Sequence, residues 1–378
     1  MKLNKTFGRI ATTLVATAML ASMAVVPASA EGGVLTPSEN KITLTKELIM
    51  PANMRTPAKT FTFNITTVTE ESVAGDKIFL DNDQVNVRAG SQAVDDAGTA
   101  TIQDGQSGTP VVDTKNKKVT AEFDLTLPAE EYKDAGVYKY QITEDAVGAN
   151  YTDKTKTLDL YLIVERQAGE DEELNTDDDT FAVINAIVYP AGENSGSGSG
   201  KTETWTNYYM LNEETGVAEV GSITVTKKVT GAMGSKNDTF EFNIELPSGG
   251  DYSIIKGDGD PIDFTGGKFS LQADESATIT GLPAGSYDIT ETITGGYEIE
   301  SAAAAEGESN TVSAKVDNTE TVGASATVVN NDDTAVVITN NREAVSPTGL
   351  IMDIAPYVLL VVVAAAGCFV FLRKRRED

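Results

Sequence analysis

The sequence predicts an all-β protein built as two tandem β-sandwiches, residues 38–213 and 214–343. Three observations lead there. Short runs rich in Thr, Val, Ile, Phe and Tyr recur between clusters of Gly, Asp, Asn and Pro, the spacing of strands and turns. A block of sequence also returns. Thr43-Leu44-Thr45-Lys46, followed by Phe61-Thr62-Phe63-Asn64-Ile65, reappears as Thr224-Val225-Thr226-Lys227 followed by Phe240-Glu241-Phe242-Asn243-Ile244. Helical periodicity, finally, is confined to the two ends of the chain.

In chain order, residues 1–30 come first. They carry Lys2, Lys5 and Arg9, an apolar run from Ile10 to Val26, and Ala28-Ser29-Ala30, the layout of a secretory signal peptide. Strands are expected at Ile42 to Leu48, Phe61 to Ile65, Phe123 to Leu127, Tyr138 to Ile142 and Leu158 to Val164. The acidic stretch Glu170 to Asp179 reads as a solvated hairpin tip. Its carboxylates lack the glycine-punctuated spacing of a calcium loop, and no metal site is expected. Ser195 to Gly200 reads as a flexible loop, and Leu211 to Val220 as the boundary between the repeats. The second set of strands is expected at Ile223 to Val229, Phe240 to Ile244, Ala277 to Leu282 and Tyr287 to Ile293. Regular strands with turn signals of this kind suit Ig-like sandwiches.

The last segment, 345–378, holds Val345-Ser346-Pro347-Thr348-Gly349, an apolar stretch over 355–372 and the basic run Arg373-Lys374-Arg375-Arg376. About 20 apolar residues suffice to cross a bilayer, and the basic end would stay inside, so one reading is a single-pass anchor. The other is a sorting signal of the kind sortases read, which it resembles through Pro347-Thr348-Gly349 just before the span. Val345 and Ser346 stand where that signal usually has Leu-Pro.

Composition narrows function. The net charge is −28, which disfavours nucleic acid and anionic lipid as partners and keeps an exported protein soluble. There is no histidine, and the one cysteine, Cys368, lies in the apolar tail. Disulfides in the exported part, histidine-based triads, cysteine nucleophiles and ordinary zinc sites are therefore excluded. No cofactor is expected.

Strand alternation exposes six polar residues in apolar company. Residues two apart share a face, so Lys46 sides with Ile42, Leu44 and Leu48, and Lys227 with Ile223, Val225 and Val229. Glu144 follows Tyr138, Tyr140 and Ile142; Glu291 sits between Ile289 and Ile293. Asn207 lies between Trp205 and Tyr209, and Asn340 follows Val336 and Ile338. Each repeat thus aims one Lys, one Glu and one Asn at its core. Burial lowers a lysine pKa and raises that of a glutamic acid, giving a neutral amine nucleophile and a neutral acid. The amine can attack the Asn carbonyl while Glu moves protons and ammonia leaves. A buried Lys–Glu ion pair with Asn as hydrogen-bond partner is the structural alternative.

With these triplets in hand, the chain resembles the two-domain shaft pilins of Gram-positive bacteria, whose domains are Cna-B-like sandwiches with a self-made isopeptide bond in each. Tyr287 to Glu291 with Gly296-Tyr297 is similar to their E-box. The resemblance implies bonds Lys46–Asn207, with Glu144 as acid, and Lys227–Asn340, with Glu291. It also implies covalent polymerisation. A pilus sortase would cleave after Thr348 and join it to a lysine of the next subunit, a housekeeping sortase would attach the fibre to the wall, and a tip adhesin and a host surface become possible partners. Val188-Tyr189-Pro190 resembles the pilin motif, but Ala191 stands at its lysine position. Lys201, six residues before Asn207, is the candidate acceptor; an ordinary loop lysine is the other reading. The alternative function is a monomeric wall-anchored adhesin or accessory pilin.

Overall fold

A computed structural model describes residues 34–344, apart from short stretches of which 193–199, 305–311 and 317–320 are the longest, together with residues 360, 361 and 364. The segment expected to be a signal peptide, the motif Val345 to Gly349 and all but those three residues of the tail lie outside the described residues. Among the described residues no helix is long and apolar enough to cross a membrane.

The chain is almost all strand. The first unit contains β1 (Lys41–Pro51), β2 (Lys59–Thr67), β3 (Lys77–Leu80), β4 (Asp83–Ala89), β5 (Val94–Ile102), β6 (Thr109–Pro110), β7 (Asn116–Thr126), β8 (Gly136–Glu144), β9 (Tyr151–Asp153), β10 (Leu158–Gln167), β11 (Thr180–Pro190) and β12 (Thr204–Tyr209). The second contains β13 (Gly221–Thr230), β14 (Phe240–Ile244), β15 (Ser253–Lys256), β16 (Ile262–Asp263), β17 (Lys268–Leu271), β18 (Ser276–Leu282), β19 (Gly285–Thr292), β20 (Glu298–Ala304), β21 (Val312–Val316), β22 (Thr321–Val328) and β23 (Asp333–Asn341).

Each unit is a sandwich of two sheets. In the first, the order β6-β7-β1-β12-β9 faces β11-β10-β8-β2-β5, with β4 added parallel to β8. In the second, β16-β15-β18-β13-β23-β20 faces β17-β14-β19-β22-β21. In both, the opening strand lies parallel to the closing strand, β1 on β12 and β13 on β23. Alternation is why these strands form and which way they face: β1 buries Ile42, Leu44, Lys46, Leu48 and Met50 in turn, the period of a strand with one wet face.

β10 breaks that alternation, with Leu158 to Val164 buried on both faces. Its inner side chains join the main core. Its outer ones, Tyr161 and Ile163, meet Val73, Ile78, Val87, Ile187 and Tyr189 in a satellite cluster. The acidic stretch joins β10 to β11 as the expected hairpin, tied by Arg166 Nη1 to Asp179 Oδ2 at 2.9 Å.

The units touch through specific polar contacts. Tyr209 donates to Asp251 Oδ2 at 2.6 Å, Thr280 Oγ1 to the Asn53 carbonyl at 3.1 Å, and Lys115 Nζ to the Asn331 carbonyl at 3.0 Å. Arg55 donates from its backbone to Ser253 Oγ and from Nη1 to the Pro261 carbonyl, while its fork grips Asp104 at 2.8 and 3.0 Å. Gly281 is required here. Its φ is +83°, and a Cβ would come within 2.4 Å of the Asp251 carbonyl oxygen, a position only glycine fills without strain. Leu211, Ala218 and Val220 from the connecting segment pack on the first core.

Candidate functional site

The fold brings each Lys, Glu and Asn together inside its own sandwich. Lys46 and Asn207 come from neighbouring strands of one sheet, and Glu144 reaches them from the facing sheet. The parallel register sets Lys46 opposite Trp205 and Leu48 opposite Asn207, so Asn207 lies two residues past the lysine's partner, on the same face. The second unit repeats this offset: Lys227 faces Ile338, and Val229 faces Asn340. The carboxylates match too, Glu144 pairing with Phe63 and Glu291 with Phe242.

Lys46 Nζ donates to Glu144 Oε1 at 2.5 Å, and Asn207 Nδ2 to Glu144 Oε2 at 2.6 Å. Lys227 Nζ donates to Glu291 Oε2 at 2.8 Å, and Asn340 Nδ2 donates to Glu291 Oε1. Glu in each case bridges the amine and the amide nitrogen, one oxygen to each. That is the placement needed to take a proton from an attacking amine and give one to a departing nitrogen. The Asn carbonyl oxygens, Asn207 Oδ1 and Asn340 Oδ1, are buried without a hydrogen-bond partner.

Both ion pairs are dry, with side-chain exposures of 0% and 1% in the first and 0% for both partners in the second. Charges so placed pay heavily for lost hydration, and the site responds by drawing the two groups toward neutrality. Burial pushes the Lys46 amine down to about 8 against the pull of Glu144, and lowers Lys227 likewise. The same burial raises Glu144 and Glu291 against the pull of their lysines. Lys139 provides the contrast. Against the lowering effect of burial, Tyr161 and ion pairs with Asp159 at 3.1 Å and Asp76 at 3.2 Å hold its amine above the ordinary lysine value. It stays an ammonium and no nucleophile.

Two contributors were not singled out from sequence. Lys46 Nζ lies 4.1 Å from the Phe61 ring centroid and 5.6 Å from that of Phe63; Lys227 Nζ lies 4.4 Å from Phe240 and 6.0 Å from Phe242. These rings make the dry box around each amine. Their signal was the Phe-x-Phe of the internal repeat. The other is Asp153, from the short strand β9, paired with Asn207.

Lys201 is half-buried beside β11, where the Thr202 amide donates to the Val188 carbonyl at 2.9 Å. Tyr189 is buried in the satellite cluster. Among the described residues no cluster of His, Cys, Asp or Glu has the arrangement of a metal site.

Comparison with known proteins adds an independent line. A curated pilin of Streptococcus pyogenes serotype M1 is 25% identical over 368 residues, covering 89% of this chain and 91% of the pilin. The chain is a relative of a streptococcal pilin. A stretch of 142 residues is also 33% identical to the pilus tip adhesin Cpa of S. pyogenes, covering 35% of this chain but only 18% of the adhesin. The crystal structure of the major pilin from S. pyogenes aligns with 19% identity and a TM-score of 0.38, over 82% of this chain and all of that one. Residues 221–342 match a family described as a domain of unknown function, DUF7601.

Proposed function

We propose that this chain is the structural subunit of a covalently polymerised pilus shaft, stabilised in each sandwich by a self-made Lys–Asn isopeptide bond. The observation that carries the reading is the duplicated triad: two Lys–Glu–Asn sets, dry, bridged by Glu, and related by one register offset on parallel opening and closing strands. In each, the neutral amine attacks the Asn Cγ and the new C–N bond forms as the C–Nδ2 bond breaks. Glu carries a proton from the amine to the departing nitrogen, and ammonia leaves. The product amide has no charge, so the desolvation penalty of the pair disappears. Each sandwich acts once on itself and turns over no substrate; the chain is a structural protein and not an enzyme.

Placement supports a mechanical purpose. The bond joins first and last strands of each sandwich, so tension along the chain meets a covalent link before it can shear the β1–β12 or β13–β23 ladder. On this reading the domains are 38–213 and 214–343, and the mature protein stands on the Gram-positive cell surface. Sortase joins Thr348 of one subunit to Lys201 of the next, and the partners are further copies, sortases and a tip adhesin. The pilin relative of matching length favours a shaft subunit over a monomeric adhesin.

The test is an immunoblot of wall material released by muramidase and boiled in SDS. A ladder of high-mass bands that collapses in Lys201→Arg is the expected result. A single band at monomer mass would overturn polymerisation, and a ladder that survives Lys201→Arg would overturn the assigned acceptor.

A further inference from the structure

The two triads agree in residue types, aromatic box and register, and differ in one charged neighbour. β9 runs antiparallel to β12 and sets Asp153 opposite Asn207. Cross-strand partners share a face, so Asp153 lies on the triad's side of the sheet. Its Oδ1 is buried and has no hydrogen-bond partner. In the second unit the strand antiparallel to the closing strand is β20, and it sets Ile299 opposite Asn340. The first site therefore carries a second carboxyl group at a register position where the second site has a hydrocarbon residue.

We propose that Asp153 is a positioning residue of the first site, acting through Lys46 and Glu144, and that it makes the two cross-links of one chain close over different pH ranges. The inference rests on the cross-linking chemistry proposed above. Reaction needs the pair to hold one proton, with the amine free and the Glu protonated. With a second proton bound, Lys46 is an ammonium and cannot attack. The acid limb of the rate is the loss of that second proton. The groups around Lys46 are Glu144 from β8, Asp153 from β9, the rings of Phe61 and Phe63 from β2, and Asn207 from β12. The Asp153 charge raises the proton affinity of Lys46 and of Glu144 alike. The charges acting on Lys227 and Glu291 are each other's. An added negative charge retains the second proton to higher pH, so the first limb is displaced upward. Asp153 itself gains and loses nothing in the reaction.

Unreacted full-length ectodomain, held unfolded in urea from inclusion bodies, tests this. It is diluted into buffers of stepped pH, quenched in acidic denaturant at intervals, and each bond is scored by peptide mapping. The parent chain is expected to form the second bond at lower pH than the first. Asp153→Asn should bring the first limb down to the second, speeding the first bond on that limb by roughly threefold to tenfold, for a displacement of about half to one pH unit. The second bond in the same molecules should be unmoved. The reciprocal change Ile299→Asp should displace the second limb upward, and it decides the matter if Asp153→Asn does not fold. Coincident limbs in the parent, or limbs unmoved by both substitutions, would overturn the role of Asp153 while leaving the cross-links standing. Absence of both bonds at every pH would overturn the chemistry itself, and this inference with it.

Discussion

Glu144→Gln removes the acid of the first site while keeping its shape. The Gln oxygen can still accept from Lys46 Nζ, and once the Asn207 amide, which donates through Nδ2 in the parent, turns over, the Gln amide can donate to Asn207 Oδ1. Polar satisfaction is therefore largely preserved, and the loss isolates the cross-link. That link closes a loop from residue 46 to residue 207, roughly 160 residues, and the chain-entropy relation for a cross-link gives about 5 kcal/mol for a loop of that length. Spread over a unit of this size, such a loss corresponds to a fall of roughly 10–20 °C in melting temperature. Calorimetry of the ectodomain should then show the first unit's transition shifted down by that amount and the second unit's unchanged, with the intact mass revealing one ammonia lost instead of two. A Glu144→Gln protein that still loses two ammonia molecules would refute the catalytic role of Glu144. One that loses a single molecule yet melts like the parent would refute the entropy argument.

Three further outcomes follow from the same geometry. Glu291→Ala should leave the second unit unbonded and less heat-stable, and more severely so than a Gln variant because Lys227 is left buried without its partner, a defect of about 3–5 kcal/mol; differential scanning calorimetry with peptide mapping checks it. Asn207→Ala should leave Lys46 as a titrating amine, whereas in the bonded parent it is an amide. The buried amine's value lies below its unfolded value, so the folded variant binds fewer protons, and its stability rises with pH between about 8 and 10.5. The melting gap between parent and variant should narrow across that window; a constant gap would count against a desolvated Lys46. Arg55→Ala should loosen the joint between the units by removing the Pro261 contact, for which the grip on Asp104 orients the side chain, while changing stability little because the pair is exposed. Distances between spin labels on the two units should broaden, and an unchanged distribution would show that Arg55 does not hold the joint.

The sequence was most legible where one strand face is buried and the other wet. In β1, β8, β12, β13, β19 and β23 the period of two assigns every triad residue to the inner face, and it separates Lys227, fully buried, from exposed Lys228. It was least legible where burial has another cause. The region containing β3 and β4 covers the outer face of β8 and β10, through a parallel β4–β8 pairing and the satellite cluster, and nothing local announces a partner that distant. β20 and β22 are rich in Ala and Gly, residues poor in strand propensity. The reason is partly a close approach: a Cβ on Gly323 would lie 1.9 Å from the Ile289 carbonyl oxygen. Asp153 escaped notice because β9 is three residues long, too short for alternation to show. The contacts at the joint unite loops from both units, which only the folded chain brings together.

The most direct test of the account is the intact mass of the mature ectodomain, with the cross-linked peptides then sequenced. The account predicts a mass below that of the plain sequence by two ammonia molecules, with Lys46 joined to Asn207 and Lys227 to Asn340. A mass equal to that of the plain sequence would contradict it, and the two triads would then be buried ion pairs and nothing more.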